Sequence, residues 1–191
     1  MRSTQEFSRK QKRLPSWDYS SNGYYFVTIC TQNHQSYLGN YLKGKIRLSS
    51  LGKIVEDIWG KIPMQFPIVE LDYHVIMPNH IHGIIIIDHS LVSSDLLNRS
   101  IMITRDAMNN GKGGVTGKNN PMLSSHSLSK IIRWFKGRCT YEINKAFPQI
   151  VFKWQSSFHD RVIRNEKELY QIRKYIIDNP LKWELDKYYL D

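Results

Sequence analysis

Two apolar runs, residues 69–77 (VELDYHVIM) and 80–88 (HIHGIIIID), are separated only by Pro78-Asn79. Each has the length and the β-branched content of a strand. A two-residue connection leaves no room for the crossover that parallel strands need. The two runs must therefore fold back on each other as an antiparallel hairpin. Beyond His82 the second run is apolar on both faces. That is the pattern of a strand in the middle of a sheet, covered on at least one side by helices.

The other elements can be placed around this hairpin. Residues 23–31 (GYYFVTICT) read as a strand. Residues 36–48 hold two short strand-like pieces around Lys43-Gly44, a second hairpin. Residues 50–62 follow a helical period, with Leu51, Ile54, Ile58 and Ile62 on one face. A longer amphipathic helix spans 124–146, with an apolar stripe of Leu128, Ile131, Ile132, Phe135, Cys139 and Ile143. Residues 158–164 form a last strand. Asn165 then caps a helix, with Glu168 at the capping-box position, running to about Asp178 before Pro180 ends it. The order strand, helix, strand, strand, helix, strand is the split βαβ, ferredoxin-like α+β arrangement. The closing helix is an addition to it. Residues 1–22 are a basic, flexible arm, and 23–191 a single domain in which 89–122 (rich in Gly, Asn and Ser) is a long variable loop.

Charge narrows the function. The chain carries 27 Lys and Arg against 17 Asp and Glu among 191 residues, a net +10. Such an imbalance points to a polyanionic partner, nucleic acid first. The 12% aromatic content suits the stacking of unpaired bases. No apolar run approaches the roughly 20 residues that span a bilayer. The basic start (MRSTQEFSRKQKR) lacks the apolar core of a secretory signal. Cys30 and Cys139 read as separate buried positions rather than a disulfide framework, so a reducing cytoplasm is the expected location.

Two features carry chemistry. In His80-Ile81-His82, strand parity projects both imidazoles from one face. Such a pair can hold a divalent cation with positions left open. His74, on the partner strand, is read as a packed residue or a nucleic-acid contact. On the last helix Gln171, Tyr175 and Asn179 form a polar stripe beside an apolar one of Leu169, Ile172 and Ile176. A tyrosine at the border of a docked helix can reach the sheet face, and its hydroxyl is then a candidate nucleophile.

Met77-Pro78-Asn79-His80-Ile81-His82-Gly83 and Tyr175-Ile176-Ile177-Asp178-Asn179-Pro180 resemble the two signatures of the REP-associated tyrosine transposases, which are single-tyrosine HUH nucleases. The stretch from Leu128 to Lys136, Trp154-Gln155, and Phe158 to Arg164 also resemble that family. The likeness covers roughly residues 23–187. It implies metal ligation by His80 and His82, a nucleophilic Tyr175, and Asn179 as the third ligand. Related insertion-sequence transposases carry Gln there, so Asp178 and Gln171 stay open as rivals.

The activity it implies is cleavage and rejoining of single-stranded DNA beside a hairpin, through a 5′-phosphotyrosine, with Mg²⁺ or Mn²⁺. Lys174, Gln171 or a coordinated water would take the phenolic proton. Phosphate contacts are expected from Lys130, Arg133, Lys136, Arg138, Arg161, Arg164 and Lys174, and from the arm through Arg9, Lys10, Lys12 and Arg13. A cytoplasmic, nucleoid-associated monomer or homodimer is expected. Two rivals remain: a nucleic-acid-binding domain without catalysis, and a hydrolase using His80, His82 and His74 with a water nucleophile.

Overall fold

The structure, a computed structural model, describes residues 17–92, 127–185 and 188. Residues 1–16 of the arm, with Arg9, Lys10, Lys12 and Arg13, and most of the 89–122 loop lie outside the described residues; at the arm's described end Tyr19 is buried in the core. The fold is α+β.

Strand β1 (Gly23–Cys30) leads into a hairpin of β2 (Gly39–Leu42) and β3 (Lys45–Leu48). Lys43 and Gly44 turn it, with φ of 50° and 78°. Positive φ at both central residues is what a two-residue turn matched to the twist of its strands requires. Helix α1 (Ser50–Gly60) follows, capped by the Ser49 hydroxyl, which accepts from the amide of Gly52. A single turn, α2 (Ile62–Gln65), comes next. The expected stripe shifts here: Leu51, Val55, Ile58 and Trp59 are buried in α1, Ile54 is only half-buried, and Ile62 falls in α2.

The Pro78-Asn79 hairpin forms as expected, joining β4 (Val69–Ile76) to β5 (His80–Ile87). Helix α3 (Leu128–Ala146) buries the whole predicted stripe. Strand β6 (His159–Ile163) and helix α4 (Glu166–Asp178) close the fold. Asn165 caps α4 by accepting from the Glu168 amide at 2.9 Å. The Glu168 carboxylate reaches back to the amide of Arg164 at 2.9 Å, one residue before the cap.

The main sheet runs β4-β5-β1-β6, and each neighbouring pair is antiparallel. In chain order its strands stand second, third, first, fourth, which is the split βαβ topology. Strand β5 is internal, as its two apolar faces require. Parity divides the sheet. Tyr25, Val27, Ile29, Ile81, Ile85 and Ile87 pack with the buried residues of α1 and α3. Ile84 and Ile163 on the other face pack with Leu169, Ile172 and Ile176 of α4. Burial of these three α4 side chains is the hydrophobic force that lays the helix on the sheet.

One expectation about the chain's end is corrected. A residue before proline tends to leave the helical region, yet Asn179 remains helical (φ −58°, ψ −43°). The chain continues as a 3₁₀ segment, Asn179–Leu185. Asn179 and Trp183, both about 4% exposed, are held inside the protein, and that burial outweighs the local preference.

Candidate functional site

His80 and His82 lie on the α4 face of β5, both essentially buried. Their Nε2 atoms stand 3.0 Å apart. Each ring is gripped at its other nitrogen. His80 Nδ1 is 2.8 Å from Asn79 Oδ1. His82 Nδ1 is 2.9 Å from the hydroxyl of Thr28, its cross-strand partner on β1. Phe26 stacks on His82 with ring centroids 5.4 Å apart.

Helix α4 brings Tyr175 over this pair. The phenolic oxygen is 3.1 Å from His82 Nε2, and its ring meets Phe26 edge to face. The residue is 43% exposed, so Tyr175 as a whole bridges the buried pair and solvent. Helix α4 is tied laterally to the sheet edge. Arg173 donates from Nε and Nη2 to one carboxylate oxygen of Asp72 on β4, at 2.9 and 2.6 Å. That pairing holds the Arg173 guanidinium above its ordinary pKa.

Asn179 lies one turn beyond Tyr175. Tyr175 packs on His82, and Trp183, four residues after Asn179, packs on His80 with centroids 5.8 Å apart. Along the chain, Asn179 stands between these two residues that touch the pair. Its Oδ1 is buried with no hydrogen-bond partner. A buried amide oxygen left unpaired costs about 1–3 kcal/mol, and such an atom calls for an explanation beyond packing.

These residues fit a divalent cation. Two nitrogens each about 2.1 Å from one ion stand about 3 Å apart at a right angle, the separation seen here. Imidazole nitrogen with an amide oxygen is a donor set of the kind Mn²⁺ accepts. Among the described residues no three His, Cys, Asp or Glu side chains form a cluster able to hold a metal. A third protein ligand among the described residues would have to be another type of side chain, and the buried, unpartnered Asn179 oxygen is one candidate. Asp178 is turned toward Lys182, 3.7 Å away, and Gln171 lies two turns before Asn179 against β6.

The other predicted residues separate by face. His74 shares the parity of Ile76 and packs on Trp59, ring centroids 5.7 Å apart, on the sheet face opposite the pair. The side chain stays exposed, and partial desolvation against the indole lowers its pKa, with Glu56 opposing. Lys130, Arg133, Lys136 and Arg138 ride on α3, also across the sheet. Lys136 donates to the backbone carbonyls of Gln155, Ser156 and Ser157, and Arg138 pairs with Glu142. Arg161 and Arg164 do reach the α4 side. With Lys167 and Gln171 they line an open groove of about 520 Å³ between β6 and the start of α4, where Arg161 pairs with Glu168. Lys174 is exposed beside Tyr175.

Besides Phe26, four residues at the pair escaped the reading of sequence. Asn79 sits beside His80 in the signature, but nothing local marks its side chain as a hydrogen-bond partner. Thr28 becomes legible only with the β1–β5 register. Trp183 and Tyr188 arrive from the end of the chain, Tyr188 with its ring 4.8 Å from that of His80.

The antiparallel split βαβ sheet with its C-terminal helix has the fold of the REP-associated tyrosine transposase class. A solved member of that class, bound in its structure to a REP hairpin, matches with a TM-score of 0.56. The match has 19% identity and covers 92% of this chain and 76% of that one. By sequence, the chain belongs to the same family as an uncharacterized protein of Haemophilus influenzae, 36% identical over 183 residues, which are 96% of this chain and 94% of that protein. No protein-family model matches the chain. No helix among the described residues is long and apolar enough to cross a membrane.

Proposed function

We propose that this protein is a metal-dependent transposase or endonuclease that cuts and rejoins single-stranded DNA, at hairpin-adjacent sites, through a covalent link to Tyr175. The observation that carries the reading is the 3.1 Å approach of the Tyr175 hydroxyl to a histidine pair whose Nε2 atoms face each other.

His80, His82 and the Asn179 amide oxygen would hold Mg²⁺ or Mn²⁺. When bound, the ion supplies Lewis-acid withdrawal of charge from the scissile phosphate. The Tyr175 oxygen attacks phosphorus. A Tyr175 O–P bond forms, the P–O3′ bond breaks, and the 3′ oxygen leaves as a hydroxyl. The phenol has an ordinary pKa of about 10, so its proton must be drawn off during attack. Exposure of Tyr175 on the solvent side lets that proton depart to water or to a neighbouring side chain. The 5′-phosphotyrosine keeps the phosphoester, so a second 3′-hydroxyl can reverse the step and join new ends without a nucleotide cofactor.

The groove of Arg161, Arg164, Lys167 and Gln171 lies on the α4 side, upstream of Tyr175 on the same helix, and would hold strand phosphates. The cations of α3, across the sheet, would bind nucleic acid only as a separate patch. The expected active form is a monomer or homodimer.

The test is incubation with labelled single-stranded hairpin DNA and Mg²⁺ or Mn²⁺, followed by denaturing electrophoresis. Wild type should yield an SDS-resistant adduct and Tyr175→Phe none. Cleavage that persists in Tyr175→Phe would overturn the tyrosine mechanism. Binding without cleavage in wild type would leave only a nucleic-acid-binding domain.

A further inference from the structure

We propose that Asn79 is a positioning residue which locks His80 in its Nδ1–H tautomer, while His82 keeps a choice between its two. The pair is chemically unequal, although both rings come from one strand and face one way.

Asn79 is fully buried. Its Nδ2 donates to two backbone carbonyls, those of His34 at 3.0 Å and Tyr188 at 2.6 Å. Both partners can only accept, so the amide cannot be turned over. Oδ1 is thereby aimed at His80 Nδ1, 2.8 Å away. An amide oxygen has no proton to give. His80 Nδ1 must donate, and in the neutral ring Nε2 becomes the acceptor nitrogen, on the side of His82 and Tyr175.

His82 meets a different partner. Its Nδ1 lies 2.9 Å from the Thr28 hydroxyl, which can either donate or accept by rotating its proton. With His80 Nε2 fixed as an acceptor, His82 Nε2–H can donate across the 3.0 Å gap in the metal-free protein. Thr28 then donates to Nδ1. When a cation takes both Nε2 atoms, the His82 proton moves to Nδ1 and Thr28 turns to accept. One histidine is preset, and the other adapts.

The scaffold behind Asn79 serves the same end. His34 has the positive φ of 53°, as does Asn33 before it. Non-glycine residues rarely adopt that region, and it persists only where surroundings hold it. Here it sets the His34 carbonyl under the Asn79 amide. Tyr188 supplies the second carbonyl and stacks on His34, with centroids 5.1 Å apart. The end of the chain thus helps to set the tautomer of a histidine 108 positions before it.

The metal consequence rests on the proposed reading of the pair as a metal centre; the tautomer does not. Long-range ¹H–¹⁵N spectra of the metal-free full chain, recorded about two units above the ordinary imidazole pKa of about 6.5, read it directly. His80 is assigned by the signals lost in His80→Gln. The expected spectrum has a pyrrole-type Nδ1 and a pyridine-type Nε2 for His80. In Asn79→Ala the His80 signals should move toward the averaged pattern of a mobile ring. Mn²⁺ titration should show binding about 10–100-fold weaker in Asn79→Ala than in wild type. A pyridine-type Nδ1 at His80 in wild type overturns the inference, and so does unchanged Mn²⁺ affinity in Asn79→Ala. If Asn79→Ala does not fold, the wild-type spectrum decides alone. If wild type binds no Mn²⁺, the metal-centre reading fails, and the spectrum still decides the tautomer.

Discussion

The hydroxyl of Tyr175 stands 3.1 Å from Nε2 of His82, across 93 positions of chain. Leu169, Ile172 and Ile176 dock α4, and β5 presents the imidazole. Tyr175→Phe removes a hydroxyl 3.1 Å from His82 Nε2 and should cost no more than about 1.5 kcal/mol. DNA cleavage should fall at least about 100-fold. A urea midpoint alongside the adduct assay checks both; a large loss of stability would show that the hydroxyl is structural.

Asn179→Leu should separate stability from metal binding. The buried Oδ1 has no partner in the metal-free protein, and replacing an unsatisfied polar group with an apolar one of similar size should be neutral or stabilising by about 1 kcal/mol. Mn²⁺ affinity should drop. Thermal unfolding with and without Mn²⁺ measures both effects, and a variant with undiminished affinity would remove Asn179 from the ligand set.

A side chain at Gly83 meets Trp59. A Cβ built there would lie 2.4 Å from Cζ2 and 2.7 Å from Cη2 of that fully buried indole. Gly83→Ala should cost about 1–3 kcal/mol through overpacking, seen as a lower urea midpoint with an unchanged slope. The glycine directly after the histidine pair thus serves the opposite face of β5.

Arg173→Ala cuts the lateral tie between α4 and β4. The doubly donated contact to Asp72 is charge-assisted but partly solvated, and its loss should cost about 1–2 kcal/mol. Hydrogen exchange in α4 should rise more than in β5, with Tyr175 losing its constraint; an unchanged α4 would show that apolar docking alone places the tyrosine.

His74 gives a pH dependence. Partial desolvation against Trp59 holds this otherwise exposed side chain below its ordinary value of 6.5. The unfolded chain therefore takes up a proton that the folded chain refuses until lower pH. Stability from this group is complete above about 6.5 and falls as pH drops from there toward the folded value. Urea midpoints across that window should slope less in His74→Leu than in wild type.

Much of this was legible in sequence because it depends on neighbours along the chain. The two-residue link between β4 and β5, the stripes of α3 and α4, and the shared face of His80 and His82 all follow from local period. The continuation through Pro180 did not, because burial of Asn179 and Trp183 overrode a local steric preference. The stripe of α1 moved by one position toward Trp59 because Gly83, a residue of another element, leaves room for that ring.

By itself, the sequence determined that a rigid strand would carry two imidazoles side by side and that a late helix would carry a tyrosine on its polar border. Only the tertiary structure decided which sheet face each helix covers. That placed Tyr175 on the pair, left His74 and the cations of α3 behind the sheet, and closed the Asn79 amide between His34 and Tyr188. The reason is physical: side-chain period is a property of a few consecutive residues, whereas a face is shared by elements whose order in the sheet depends on burying the whole core at once.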